Sequence, residues 1–266
     1  MNVFLRELQY YRKSTIIWAI SLSLGTVIFL LMYPAFTKDV AASKSTIANL
    51  PVAFREIAGI SLQNFFTIFG FYSYLLTFLM LGAAIQAMNL SVGVISKEES
   101  DKTVDFILSK PISRASLITS KLLAISSLLI LSNVIFIAIS LLAAATVSTA
   151  AFSLTTFLLL ALTVILVQIA FLAIGAMYAV VIPKIKSVIS VTLPTVFGFF
   201  IIGSVGAILG NDKVRYLSPF KLYDTNYIIN HSNYEIKYMV IEALAVIAAI
   251  TASYLIYIKK DIRAAS

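Results

Sequence analysis

Six long stretches of this chain show neither the two-residue alternation of a half-buried strand nor the charge spacing of a solvated helix. They cover roughly residues 15–36, 69–95, 117–147, 154–182, 188–209 and 238–258, and the charged residues they contain are Lys121 and Glu242. A hydrocarbon layer of about 30 Å is crossed by about 20 helical residues, and it offers backbone groups no external hydrogen-bond partner. Each stretch meets that length. A β-barrel would instead show alternation in segments of about ten residues, which the run LLAISSLLILS at 122–132 lacks. The pattern predicts an all-α, polytopic membrane protein of six transmembrane helices, organised as a single domain over 1–266.

Composition sharpens this picture. Apolar residues make up 60% of the chain, charged residues only 12%, and the mean hydropathy is +0.98; soluble domains are far less oily. Charge precedes the first apolar run as it does in a signal peptide. The run is nevertheless longer than the usual secretory segment, and YPAF at 33–36 offers no small-x-small cleavage site, so a retained span is expected. Cysteine is absent, which removes disulfides, thiolate metal sites and cysteine nucleophiles. With the N-terminus inside, 13 of the 20 basic residues fall in inner segments and 7 in outer ones. By the retention of basic residues on the cytoplasmic side, both termini are expected there. The net charge of +8 then reflects topology and contact with anionic lipid, and nucleic acid is not an expected partner.

Residues 2–13, NVFLRELQYYRK, place Phe4, Leu8 and Tyr11 on one helical face and Arg6, Gln9 and Lys13 nearly opposite. This predicts an amphipathic N-terminal helix lying in the inner interface before the chain turns into the first span. On the outer side, LPVAFREIAGI forms a short amphipathic pattern that stops near Gly59, and YLSPFKLYDTNYIIN is rich in tyrosine. Both look like lids, with the aromatics read as an interfacial belt. The fifth run holds Pro194 and three glycines, with a fourth, Gly210, at its end, and Gly206 to Gly210 satisfies G-x-x-x-G. Packing within one subunit and dimerisation explain that spacing equally well.

Ion-driven transporters advertise themselves through ionisable residues inside the membrane. Here the candidate is Glu242, one turn inside the last span. Asn133, Gln168, Gln86 and Asn89 are uncharged and are expected to pack helices or line a polar seam; Asn133 and Gln168 with Glu242 are the candidate lining of a translocation path. His231 has no second histidine or cysteine to build a zinc site, no catalytic set can be assembled, and no G-x-x-x-x-G-K-[ST] occurs. Any ATP is therefore hydrolysed by another polypeptide.

One dense charged block remains, KEESDKTVDFILSKPISR at 97–114. Val104, Ile107 and Leu108 form one stripe of a short helix, with Phe106 on the other side. Pro111 biases Lys110 out of the helix, and Ser113 is placed to cap the next one. The extended run KEESDKTVDFILSKPISRASLITSKLLA resembles the signature of type-2 ATP-binding cassette permeases at Glu98, Glu99, Thr103, Leu108, Pro111, Ser113, Arg114 and Lys121. It departs from that signature at Lys102, where glycine is common, and at Asp105, where glutamate is common.

The resemblance implies a cytoplasmic coupling helix between spans 2 and 3, in which Phe106 and its neighbours contact a nucleotide-binding subunit. It also implies an exporter in a bacterial or archaeal plasma membrane. Two ATPase subunits would carry ATP and Mg, a second permease subunit, identical or not, would complete the assembly, and the chain itself would hold no cofactor. The neutral interior suits hydrophobic or amphipathic cargo such as a peptide, antibiotic or lipid. The competing classes are an ion-coupled secondary transporter or channel working without ATP, a non-transporting assembly subunit, and, last, a membrane-embedded enzyme.

Overall fold

The computed structural model describes residues 3–100, 113–148, 152–210 and 212–259, the side chains of 98–100 and 212 excepted. Among these residues there is no strand. The helices are α1 (Val3–Leu31), α2 (Tyr33–Thr37), α3 (Val40–Ala48), α4 (Val52–Ala58), α5 (Ile68–Ser100), α6 (Arg114–Val147), α7 (Leu154–Val181), α8 (Val188–Ile208), α9 (Asp212–Arg215), α10 (Thr225–His231) and α11 (Ile236–Lys259), with a 3-10 turn at Pro219–Lys221. Six of them, α1 with α2 and then α5, α6, α7, α8 and α11, are long and apolar enough to cross a membrane. The all-helical, six-helix architecture is as the sequence predicts.

Two helices form the inside of the bundle. In the apolar windows of α5 and α7, 61% of residues are buried, against 22% in α8 and 11% in α11. Small side chains explain why α5 and α7 pair so closely. Ala83, Ala84 and Ala87 on α5 and Ala176 on α7 are fully buried, and a Cβ on Gly175 would stand 2.9 Å from Ser91 Cβ. With no solvent-driven force between helices in lipid, such close approach is what holds them together. Ser91 adds a bond across the contact, its hydroxyl donating to Leu172 O at 2.7 Å. Around this pair, α1 packs along α6, α11 crosses α7, and α8 leans on α5. Outward faces of α1, α8 and α11 carry exposed Ile, Leu, Val and Phe, as a lipid-facing surface must. Buried hydroxyls on α1 and α11 bond their own backbone four residues back, as in Ser23 to Ala19 O, Thr26 to Leu22 O and Ser253 to Ala249 O.

The two ends of the bundle are fixed by cross-contacts. At the termini end, Lys97 meets Glu7, and the Arg114 guanidinium donates to Ile258 O at 3.5 Å. At the far end, Tyr33 donates to Phe66 O and Thr156 bonds Ser232.

One expectation changes here, and one open alternative gains a structural reading. Residues 3–13 do not form a separate helix that turns into the first span; they are the opening turns of the continuous α1. A polar face followed by an apolar run reads the same in sequence whether or not the axis bends between them. The G-x-x-x-G spacing serves this subunit itself. A Cβ on Gly206 would lie 2.5 Å from the Val214 side chain, and Gly210 takes φ +59°, so the pair makes the tight return from α8 to α9. Pro194 is carried inside α8 without interrupting it.

Candidate functional site

At the termini end, the sequence forms a braced frame on both sides of residues 98–112. Ser113 accepts from Ser116 N at 3.1 Å and caps α6, as its place after Pro111 predicted. On the α5 side, Lys97 Nζ reaches Glu7 Oε2 at 3.4 Å and stands 3.5 Å above the Tyr10 ring. Glu7 is fully buried, with Arg6 Nε also 3.4 Å from its other oxygen. Leu8 and Tyr11 lean on the apolar core, while Phe4 is half-buried. Deeper in, the fully buried Lys121 donates to Val94 O at 2.7 Å and Ile95 O at 3.1 Å. A buried ammonium bonded to carbonyls of α5 ties α6 to the last turns of that helix. Of the residues in the charged block, Thr103, Phe106, Leu108 and Pro111 lie outside the described residues, and Glu98 and Glu99 are described only as part of helix α5.

In the middle of the bundle, Asn133 and Gln168 do meet. The Asn133 amide donates to Gln168 Oε1, Gln168 Nε2 donates to Gln86 Oε1 at 3.2 Å and Ala83 O at 3.4 Å, and Gln86 Nε2 donates to Ser132 Oγ at 3.1 Å. All four side chains are buried. The network is neutral and internally paired, and it joins α5, α6 and α7. Glu242 stands apart at the far end, buried on α11, where Tyr223 donates to its Oε2. Among the described residues, its Oε1 has no hydrogen-bond partner. The three candidate path residues therefore occupy two places.

The far end holds a cavity of about 330 Å³. Its apolar walls are Met80 of α5, Phe200 and Ala207 of α8, and Phe220; its polar margin is Glu56, Arg215, Lys221, Tyr223, Asp224 and Asn226. Arg215 is committed elsewhere: it donates to Lys221 O at 3.0 Å and Leu222 O at 3.2 Å, pairs with Glu235, and lies 4.0 Å over the Tyr238 ring. Among the described residues, Lys221 Nζ makes one hydrogen bond, of 3.4 Å to Glu56 O. Withdrawal from water lowers its pKa, opposed by the charges of Glu56 and Asp224. Burial raises the pKa of Tyr223, reinforced by its bond to Glu242. It pushes Tyr234 up to about 12. Among the described residues, no group of three His, Asp or Glu side chains could hold a metal ion.

The placement of several of these groups carries no signal in the sequence. Glu7 sits in an ordinary polar face, and its burial depends on α1 continuing straight. Gln86 stands out as a polar residue in an oily run, but no local period reveals that it pairs with Ser132 across 46 residues. Phe220, Tyr223 and Tyr234 are buried in the far end rather than forming a belt; alternation with Lys221, Asp224 and Glu235 made them look interfacial.

Comparison with known proteins adds two findings. A family model described as ABC-2 family transporter protein matches residues 1–262. No curated protein matches the chain.

Proposed function

This chain belongs to the ABC-2 transporter family, and from that premise we propose that it is the permease of an exporter that carries hydrophobic or amphipathic cargo out of the cell on ATP hydrolysed by a separate subunit. The observation that carries the reading is the match over 1–262, within which the sequence supplies six membrane helices and no nucleotide-binding motif. The termini end would face the cytoplasm, in keeping with 13 of 20 basic residues in the segments that end there.

The proposed mechanism places coupling in the segment between α5 and α6. Two ATPase subunits draw together on ATP and push this segment in each of two permease subunits, with Glu98, Glu99, Thr103, Phe106, Leu108, Pro111, Ser113 and Arg114 at or beside the contact. Both roots of the segment are braced: Lys97 to Glu7 on one side, and the Ser113 cap with Arg114 on Ile258 O on the other. Lys121 joins the two roots. A push there is transmitted to α1, α5, α6 and α11 together, a rigid-body response rather than a local loop motion. ATP acts by binding one of two arrangements more tightly, which shifts their populations. Cargo of low polarity fits a membrane interior whose described side chains are mostly apolar and uncharged, and whose amide network bonds within itself.

The test is purification from native membranes in mild detergent, followed by mass spectrometry and an ATPase assay. A P-loop protein held one to one, released by Phe106→Ala, is the expected result. A chain that purifies without an ATPase overturns the reading.

A further inference from the structure

The far-end cavity has no part in the coupling mechanism, yet its lining is more specific than a packing defect. Its floor is apolar, with Met80, Phe200 and Phe220. Above that floor sit one ammonium and two carboxylates that are not joined. Lys221 has three donors and one bond of 3.4 Å, to a backbone carbonyl. Among the described residues, neither Glu56 nor Asp224 forms an ion pair with it or with any other cation. Arg215, the other cation on the margin, is neutralised by Glu235 and occupied by two carbonyls.

The packing keeps Lys221 in this place. A Cβ on Gly203 would lie 3.0 Å from the Lys221 stem and 2.7 Å from Ser218 Oγ, so the glycine leaves the room through which the lysine enters the cavity wall. Ser218 is itself anchored by donating to Phe199 O at 2.8 Å. Withdrawal of the ammonium from water is a cost that the charges of Glu56 and Asp224 offset only in part.

Separated charges of both signs over an apolar floor select a particular ligand. A simple anion at Lys221 would also face Glu56 and Asp224, and a simple cation at the carboxylates would face Lys221. We propose that the cavity binds an amphiphile whose head group carries both an amine and an anionic phosphate or carboxylate. The anion sits on Lys221 Nζ, the amine lies toward Glu56 and Asp224, and the apolar part rests on Met80, Phe200 and Phe220. A zwitterionic lipid head and a free amphipathic amino acid share this chemistry. The site requires neither ATP nor a partner subunit, so it stands or falls separately from the exporter reading.

The experiment uses the full chain in mild detergent, with bound amphiphile counted by mass spectrometry of the intact protein. The probes are dioctanoyl phosphatidylethanolamine, dioctanoyl phosphatidylglycerol, and an α-amino acid with an octyl side chain. Phosphatidylethanolamine is expected to outcompete phosphatidylglycerol, and both Lys221→Met and Glu56→Gln should weaken it about tenfold, the scale of one lost charge-assisted hydrogen bond. Glu56 is exposed on α4, so its variant keeps the test valid even if the lysine variant folds poorly. Displacement of the phospholipid by the amino acid would mark a site open to free amphiphiles; retention against it would mark a lipid site, and either agrees with the proposal. Equal retention of the two phospholipids, or retention unchanged in both variants, overturns it. Failure to capture an ATPase would leave this result untouched.

Discussion

The amide network at mid-bundle and the charged cavity at the far end are both polar features inside an oily molecule, and they are built in opposite ways. Asn133, Gln168, Gln86 and Ser132 are neutral, buried and bonded to one another. Lys221, Glu56 and Asp224 are charged, gathered round a hollow, and not paired among themselves. A network that satisfies itself has spent its hydrogen-bonding capacity on the fold. Asp224 Oδ1 is used in capping α10, where it accepts from Asn226 N and Tyr227 N, but charges left apart retain the rest of their capacity for something that enters. If this distinction is right, substitutions in the first region should cost stability, and substitutions in the second should cost binding.

The largest effect is expected at Gln168. Replacing it with Leu preserves volume but takes a partner from Asn133 and from Gln86 together, both of them buried. A loss of about 2–3 kcal/mol follows from orphaning buried polar groups, read as a drop in the thermal midpoint of the detergent-solubilised protein. Substituting all four members by apolar residues of similar size should recover much of that loss, because the cost lies in broken pairs rather than in absent polarity. A fourfold variant no more stable than Gln168→Leu would show that the network matters for more than its own satisfaction.

Next comes Gly206→Val, which forces apart the return from α8 to α9 where Val214 already lies 2.5 Å from the position of a Cβ. Overpacking of this kind costs about 1–2 kcal/mol. It should also distort the cavity, since Gly206 lines it. An unchanged midpoint would mean that α9 moves freely, and the far end would then be no preformed site.

Smaller still is Ser113→Ala. Losing a helix cap costs about 1 kcal/mol. On the proposed mechanism the same change loosens one root of the coupling segment, so ATPase activity per molecule of cargo should rise more than the stability change accounts for. A purely structural cap would leave that ratio alone.

How far the sequence reveals these features depends on their range. The membrane helices are legible because a run of about 20 apolar residues is a local fact, decided by the thickness of hydrocarbon. The cap at Ser113 is legible for the same reason, being fixed within three residues. By contrast, Glu7 and Lys97 are 90 residues apart, and Lys221 approaches Glu56 across 165. Such pairings are set by how helices are ordered around α5 and α7, which periodicity does not encode. Asn133 and Gln168 stood out in the sequence as polar residues in oily runs, but only packing shows that they bond each other while Glu242 bonds Tyr223. The aromatic far-end segment misled in the other direction: tyrosines beside charged residues look the same in sequence whether they face headgroups or, like Tyr223, fill an interior.

The smallest stability effect, and the sharpest contrast with Gln168, is expected at Lys221. Burial lowers its pKa from the ordinary 10.5, so the folded state releases the proton more readily than the unfolded chain. Between the lowered folded value and 10.5, the unfolded state binds more protons, and stability from this group increases as pH rises. Below the folded value the charged lysine is carried at a cost, offset in part by Glu56 and Asp224. Lys221→Met removes both the cost and its pH dependence. The midpoint at neutral pH should therefore shift by no more than the equivalent of about 0.5 kcal/mol, and the alkaline gain should vanish from the difference between wild type and variant. A drop as large as that of Gln168→Leu would place Lys221 among the groups that hold the fold, and the contrast between a closed network and an open site would fail.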